Sequence, residues 1–153
     1  MTRAKRTRAP QRRRRRRRPT PTTIEEPFRA VLSRAPVTLF SQDRALRYIW
    51  IHNPQAGLAA GTALGKTDAE LLSAEDAARL TRIKWSVLTS GVGARELVEI
   101  TVSGQKICYD LSVEPQRDAA GRVLGVAGAA VDITDYCRAE QALREHKTLQ
   151  RLI

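Results

Sequence analysis

The chain has 153 residues, 42% of them hydrophobic, and a net charge of +11, which suits one domain with a real core and is too little for two large ones. Eleven of its 27 basic residues fall within residues 1–19, a stretch without acids, so the rest is neutral and the basicity belongs to the tail alone. No apolar run approaches the roughly 18 residues of a membrane span, and the tail is followed by PTPTTIEEP rather than by the apolar core of a secretory signal.

Residues 1–27 are rich in Pro and Thr, carry seven consecutive arginines from Arg12 to Arg18, and hold almost nothing apolar. Such a segment cannot offset the entropy of ordering, and disorder is expected. Seven arginines can neutralise phosphates of RNA, DNA or anionic lipid with a steep salt dependence. No aromatic residue is interleaved to stack on bases, so an inert tail is favoured, and a nucleic-acid anchor stands as the alternative.

Phe28 to Ser33 reads as a short helical lead-in that Pro36 ends by disfavouring helix at the residue before it. Val37 to Ser41 and Tyr48 to His52 are rich in β-formers around the turn QDRALR, which predicts a hairpin. Period-two geometry puts Tyr48, Trp50 and His52 on one face of the second strand and Ile49 and Ile51 on the other. From Gly57 to Leu72 the residues are small, suggesting short irregular turns. Gly65-Lys66-Thr67 resembles the end of a phosphate-binding loop, but Ala60 stands where that loop needs a glycine and no buried strand precedes it; nucleotide binding is not expected.

Ser73 with Asp76 forms a capping-box pattern, followed by Ala77, Leu80, Ile83, Val87 and Leu88 at helical spacing and by Gly91 as a stop. Arg79, Arg82 and Lys84 fall largely on the rest of that helix's surface, and Trp85 reads as a cover for the core edge or as a pocket wall. Three strands come next. Arg95 to Val102 turns at Ser103-Gly104 into Lys106 to Glu114, where Ile107, Tyr109, Leu111 and Val113 alternate with Lys106, Cys108, Asp110, Ser112 and Glu114. The run from Val123 to Ile133 reads as a central strand buried on both faces and broken only at Asp132.

A carboxylate in such a strand costs several kcal/mol unless it is paired. Arg47 and the backbone N–H groups of the next helix are its expected partners, with Thr134 as cap and Asp135 complementing the helix dipole. The closing helix, from Asp135 to the end, carries Ala139, Ala142, His146, Leu149 and Ile153 at alternating spacings of three and four, flanked by charges. That is a short coiled-coil seam, favoured over a helix packed back on its own domain, and it predicts a homodimer. The two cysteines, Cys108 and Cys137, show no CxxC and no paired His, so two reduced thiols are expected, with no metal site and no disulfide framework.

This order of elements resembles the Per-Arnt-Sim (PAS) sensor domain. The resemblance covers about residues 28–137 and rests on APVTLFSQDRALRYIWIHNP, GKTDAELLSAEDAARL, RDAAGRVLGVAG and above all Asp132-Ile133-Thr134, which is similar to the Asp-Ile-Thr signature joining a PAS core to its signalling helix. AEQALREHKTLQRLI is similar to the linker that leads into HWE-type sensor histidine kinases, which are bacterial.

The resemblance implies an α+β fold, a five-stranded antiparallel sheet with helices on one face, and three parts: an Arg-rich tail (1–27), a PAS domain (28–133) and a signalling helix (134–153). It implies a cytoplasmic sensory module that takes a small-molecule or protein signal, acting as input to a two-component kinase or another signalling partner. Catalysis is not expected, because the chain stops at Ile153 before any ATP-binding domain and His146 does not match the phosphoacceptor's surroundings. A natural single-domain protein and a truncated kinase both fit. The family's cavity would be lined here by Tyr48, Trp50, His52, Trp85 and Tyr109, although a filled core explains these residues equally well. No ligand is identifiable. The cysteine word of flavin photochemistry is absent, and so is a haem-binding His on the long helix.

Overall fold

A computed structural model describes residues 26–54 and 60–153; the arginine run lies outside them. Five strands form one antiparallel sheet in the order β2-β1-β5-β4-β3. They are β1 (Val37–Asp43), β2 (Tyr48–His52), β3 (Ala94–Val102), β4 (Gln105–Arg117) and β5 (Val123–Asp132). Helix α1 (Glu26–Leu32) precedes the sheet, α2 (Ala60–Ala63), α3 (Asp68–Leu71) and α4 (Ala74–Ser90) lie between β2 and β3, and α5 (Thr134–Arg151) follows β5. The closing helix thus ends two residues short of Ile153.

The long α4 supplies one wall of the core. Its N-cap Ser73 accepts a hydrogen bond from Asp76 N–H at 3.3 Å, and Gly91 closes it in the left-handed conformation with φ 68°. The Asp76 carboxylate does not return to the cap. It accepts from Thr101 N–H on β3 at 2.9 Å and fastens the helix to the sheet. Leu80, Ile83, Val87 and Leu88 then pack against Phe40, Val98, Ile100, Tyr109, Leu111, Val113 and Val126.

β5 is central, flanked by β1 and β4, but it is not buried on both faces. Only Gly125 and Val126 are fully covered, because the long helix lies on one face and the other carries small residues such as Ala127 and Ala129. Close approach explains the glycine at 128, where a Cβ would overlap the Phe40 ring.

One strand departs from simple alternation. Ser41 pairs with Trp50 but Gln42 pairs with Tyr48, so Ile49 is an extra residue, a β-bulge. Tyr48 therefore turns to the inner face with Ile51 rather than sharing a face with Trp50 and His52. The latter two stack on each other with ring centroids 6.1 Å apart. Gly65-Lys66-Thr67 forms the turn into α3, with Tyr48 N–H donating to Lys66 O at 3.0 Å.

At its far end the sheet brings the chain's entry and exit together. Val37 pairs with Val131, and Asp132 N–H donates to Pro36 O at 2.8 Å.

Candidate functional site

Between the inner face of the sheet and helices α3 and α4 lies a cavity of about 80 Å³. Phe40, Ile51, Leu72, Leu80, Val98 and Leu111 contribute apolar wall, and Asp68, Lys84, Tyr48 and Tyr109 bring polar groups to it.

Three of those polar groups form a cluster. Lys84 Nζ lies 2.5 Å from Asp68 Oδ2, with the two side chains 1% and 2% exposed. The Tyr48 hydroxyl donates to Asp68 Oδ1 at 2.7 Å and lies 3.2 Å from Lys84 Nζ, as acceptor. The ammonium also sits 4.8 Å from the centroid of the Phe40 ring and 5.1 Å from that of Tyr48, where ring quadrupoles attract a desolvated cation. Burial pushes the Lys84 ammonium below its usual range, opposed by Asp68. Burial, then Asp68, pushes the Tyr48 phenol well above its own.

Each member has a local reason to be there. The bulge at Ile49 turns Tyr48 inward, and Asp68 opens α3. Thr67, just before that helix, donates its N–H to Glu70 Oε2 at 2.8 Å. Lys84 occupies the middle of the apolar stripe of α4, four residues from both Leu80 and Leu88, so it is buried rather than set on the helix surface. Of the expected lining residues, Tyr48 and Tyr109 border the cavity. Trp50 and His52 lie on the other face of β2, and Trp85 is 54% exposed, pointing away from the stripe that holds Leu80, Lys84 and Val87.

A second constellation holds the strand-to-helix joint. Asp132 does not pair with Arg47, which instead donates to Gly65 O at 2.8 Å and to Glu70 Oε2 at 3.0 Å. The Asp132 Oδ1 accepts from Thr134 N–H at 2.9 Å and from the Thr134 hydroxyl at 2.5 Å. Ile133 is the N-cap, making Thr134 the first helical residue rather than the cap. The Thr134 hydroxyl accepts from Cys108 N–H at 3.1 Å, and Ile133 N–H donates to Cys108 O at 2.8 Å. The joint is thereby hung on β4.

Asp132 lies beside Tyr109 in the sheet register; burial first, and Asp132 second, raises the Tyr109 phenol above its ordinary range. A side chain on the cavity wall thus neighbours the joint directly. Beyond the joint α5 has no buried residue, and Ala139, Ala142, His146, Leu149 and Ile153 are all exposed. No cluster of metal-ligating side chains occurs among the described residues, nor is any helix there long and apolar enough to cross a membrane.

Sheet, a partly open cavity against it and an exit helix pinned to a cavity-lining strand make up the frame of the domain. The chain belongs to the PAS fold family, whose model matches residues 32–136. Probable histidine kinase 1 of Oryza sativa subsp. indica is 37% identical over 106 residues, covering 69% of this chain and 11% of that protein. The methanogenesis regulatory histidine kinase FilI of Methanothrix harundinacea is 33% identical over 115 residues, 72% of this chain and 13% of its own length. The chain thus spans about a tenth of the curated relatives it matches, and the match is confined to the PAS region of this chain. A solved sensory box histidine kinase/response regulator from Burkholderia thailandensis superposes with a TM-score of 0.61 at 20% identity, over 84% of this chain and all of that one, which bears on the fold alone.

Proposed function

We propose that the chain is a cytoplasmic, non-catalytic input module of a two-component sensor kinase, with the PAS domain spanning residues 28–133 and a signalling helix spanning residues 134–153. The observation that carries this reading is the cavity with Lys84, Asp68 and Tyr48 on its wall. It suits a small, largely apolar organic ligand carrying one hydrogen-bonding group. An apolar body gains from leaving water, and its polar group exchanges with the buried cluster without leaving a charge unpaired.

Tyr109 and Asp132 link that cavity to α5 through neighbouring positions on β4 and β5. A ligand that favours one packing of these strands would bias the direction in which α5 leaves, to the extent that it binds the two packings unequally. The exposed seam of α5 then pairs with a second copy, and the pair passes the bias on to a kinase or other partner. Native mass spectrometry of the full chain, purified without added ligand, tests both halves. A dimer with extra mass supports a ligand-holding module. A dimer at bare polypeptide mass removes the resident ligand, and a bare monomer removes the seam.

A further inference from the structure

The chain's two cysteines meet at the joint. Cys108 is on β4 and Cys137 is in the first turn of α5, and although they are 29 residues apart in sequence their Sγ atoms lie 2.7 Å apart. Both are free thiols and both are partly accessible. A disulfide needs sulfurs about 2.05 Å apart, so a small side-chain rotation closes the gap. The backbone around them is already fixed, since the N–H and C=O of Cys108 are the two groups that hold Thr134 and Ile133.

We propose that Cys108 and Cys137 form a reversible disulfide that latches the first turn of the signalling helix to the sheet, written by hydroperoxides and erased by dithiols. The steps balance. Cys137 Sγ attacks one oxygen of a hydroperoxide, the O–O bond breaks, and Cys137 becomes a sulfenic acid while the rest leaves as water or alcohol. Cys108 Sγ then attacks the Cys137 sulfur; the S–S bond forms, the S–O bond breaks, and the departing hydroxide takes the Cys108 proton as water. Two electrons pass from the two sulfurs to the peroxide, and a dithiol returns them by exchange. Burial, followed by the hydrogen bond between the two thiols, pushes the Cys108 thiol up to about 11. It therefore keeps its proton at neutral pH, and the proposal gives it the resolving step, in which that proton leaves with the departing hydroxide.

This latch is independent of what fills the cavity. Its test is to treat the reduced full chain with hydrogen peroxide, block remaining thiols with N-ethylmaleimide, and weigh the intact protein. With only two cysteines in the sequence, an unlabelled monomer lighter by two hydrogens can only be the Cys108–Cys137 disulfide. That species is expected to dominate, and dithiothreitol to restore two labelling sites. A chain that still takes two labels, or that oxidises only to interchain dimers or to sulfinic acid, overturns the proposal. The Cys137→Ser variant, whose exposed helix tolerates the change, is expected to form no intrachain bond. Amide exchange reads the latch itself, with protection over residues 134–138 expected to rise at least tenfold on oxidation; unchanged exchange overturns the latch.

Discussion

Lys84 shows how one residue can be misplaced by its charge. On a helix a lysine normally marks the solvated face, yet the positions around Lys84, Leu80 four residues before and Val87 and Leu88 after, already trace the apolar stripe. Applying the same spacing to a charged residue would have located it, and with it the inward-facing partner that a buried ammonium demands. Asp68 gave no such signal because its segment has no long period to read. Removing one member of so buried a pair strands the other. Lys84→Met should cost about 3–5 kcal/mol in urea unfolding, and Asp68→Asn with Lys84→Met should recover most of that loss. If the double variant were no more stable than the single, the pair would not be the cause.

Cys108 makes a prediction of opposite chemical kind. The thiol ionises at 9.0 when unperturbed and at about 11 in the fold. Between those values the unfolded chain has released a proton that the folded chain keeps, so stability is fully present below pH 9.0 and falls as pH rises toward 11. Urea midpoints measured across that window should decline for the reduced protein. The alkylated or oxidised protein, lacking an ionisable thiol at that position, should decline less, the remainder coming from the raised phenols of Tyr48 and Tyr109.

At the scale of elements, β3, β4 and β5 were legible because each alternates or runs apolar nearly to its end. The faces of β2 were not, because a bulge inverts the alternation and leaves no mark in composition. Tyr48 consequently belongs with Ile51. The strand-to-helix joint was half legible: a carboxylate breaking an apolar strand announces a partner, but not that the partner is the hydroxyl two residues on. Thr134→Val would orphan Cys108 N–H and leave Asp132 Oδ1 with the backbone N–H of residue 134 alone, costing about 1–3 kcal/mol and speeding amide exchange in the first turn of α5 more than in β3. Uniform exchange changes would mean that the joint is not a separable unit.

The exposed face of α5 belongs to the same scale. Leu143 and Leu149 are 54% and 62% exposed, and a helix with no buried residue gains little from tertiary packing. Should the seam pair two copies, Leu149→Asp would place like charges at its centre and shift the mass measured by light scattering from dimer to monomer, with the thermal midpoint of the sheet core unchanged. A dimer that survives this change would be held elsewhere.

For the whole molecule, the five antiparallel strands followed from local patterns because three of their pairings are hairpins between consecutive strands; the place of β1 beside β5 did not. The cysteine pair did not follow, since no spacing rule connects a mid-strand residue with a helix turn 29 positions later; only the docking of α5 against β4 makes them neighbours. The meeting of the chain's entry and exit governs how such a domain sits within a longer chain. Pro36 and Asp132 are joined by a hydrogen bond, at strands that run side by side about 4.8 Å apart. What comes before β1 and what comes after β5 therefore meet at a single point, and the rest of the domain hangs from it as a side branch. A pull between the segment before β1 and the segment after β5 is borne at that point, so the sensor need not carry it. It need only turn one segment relative to the next, as a key turns in a shaft.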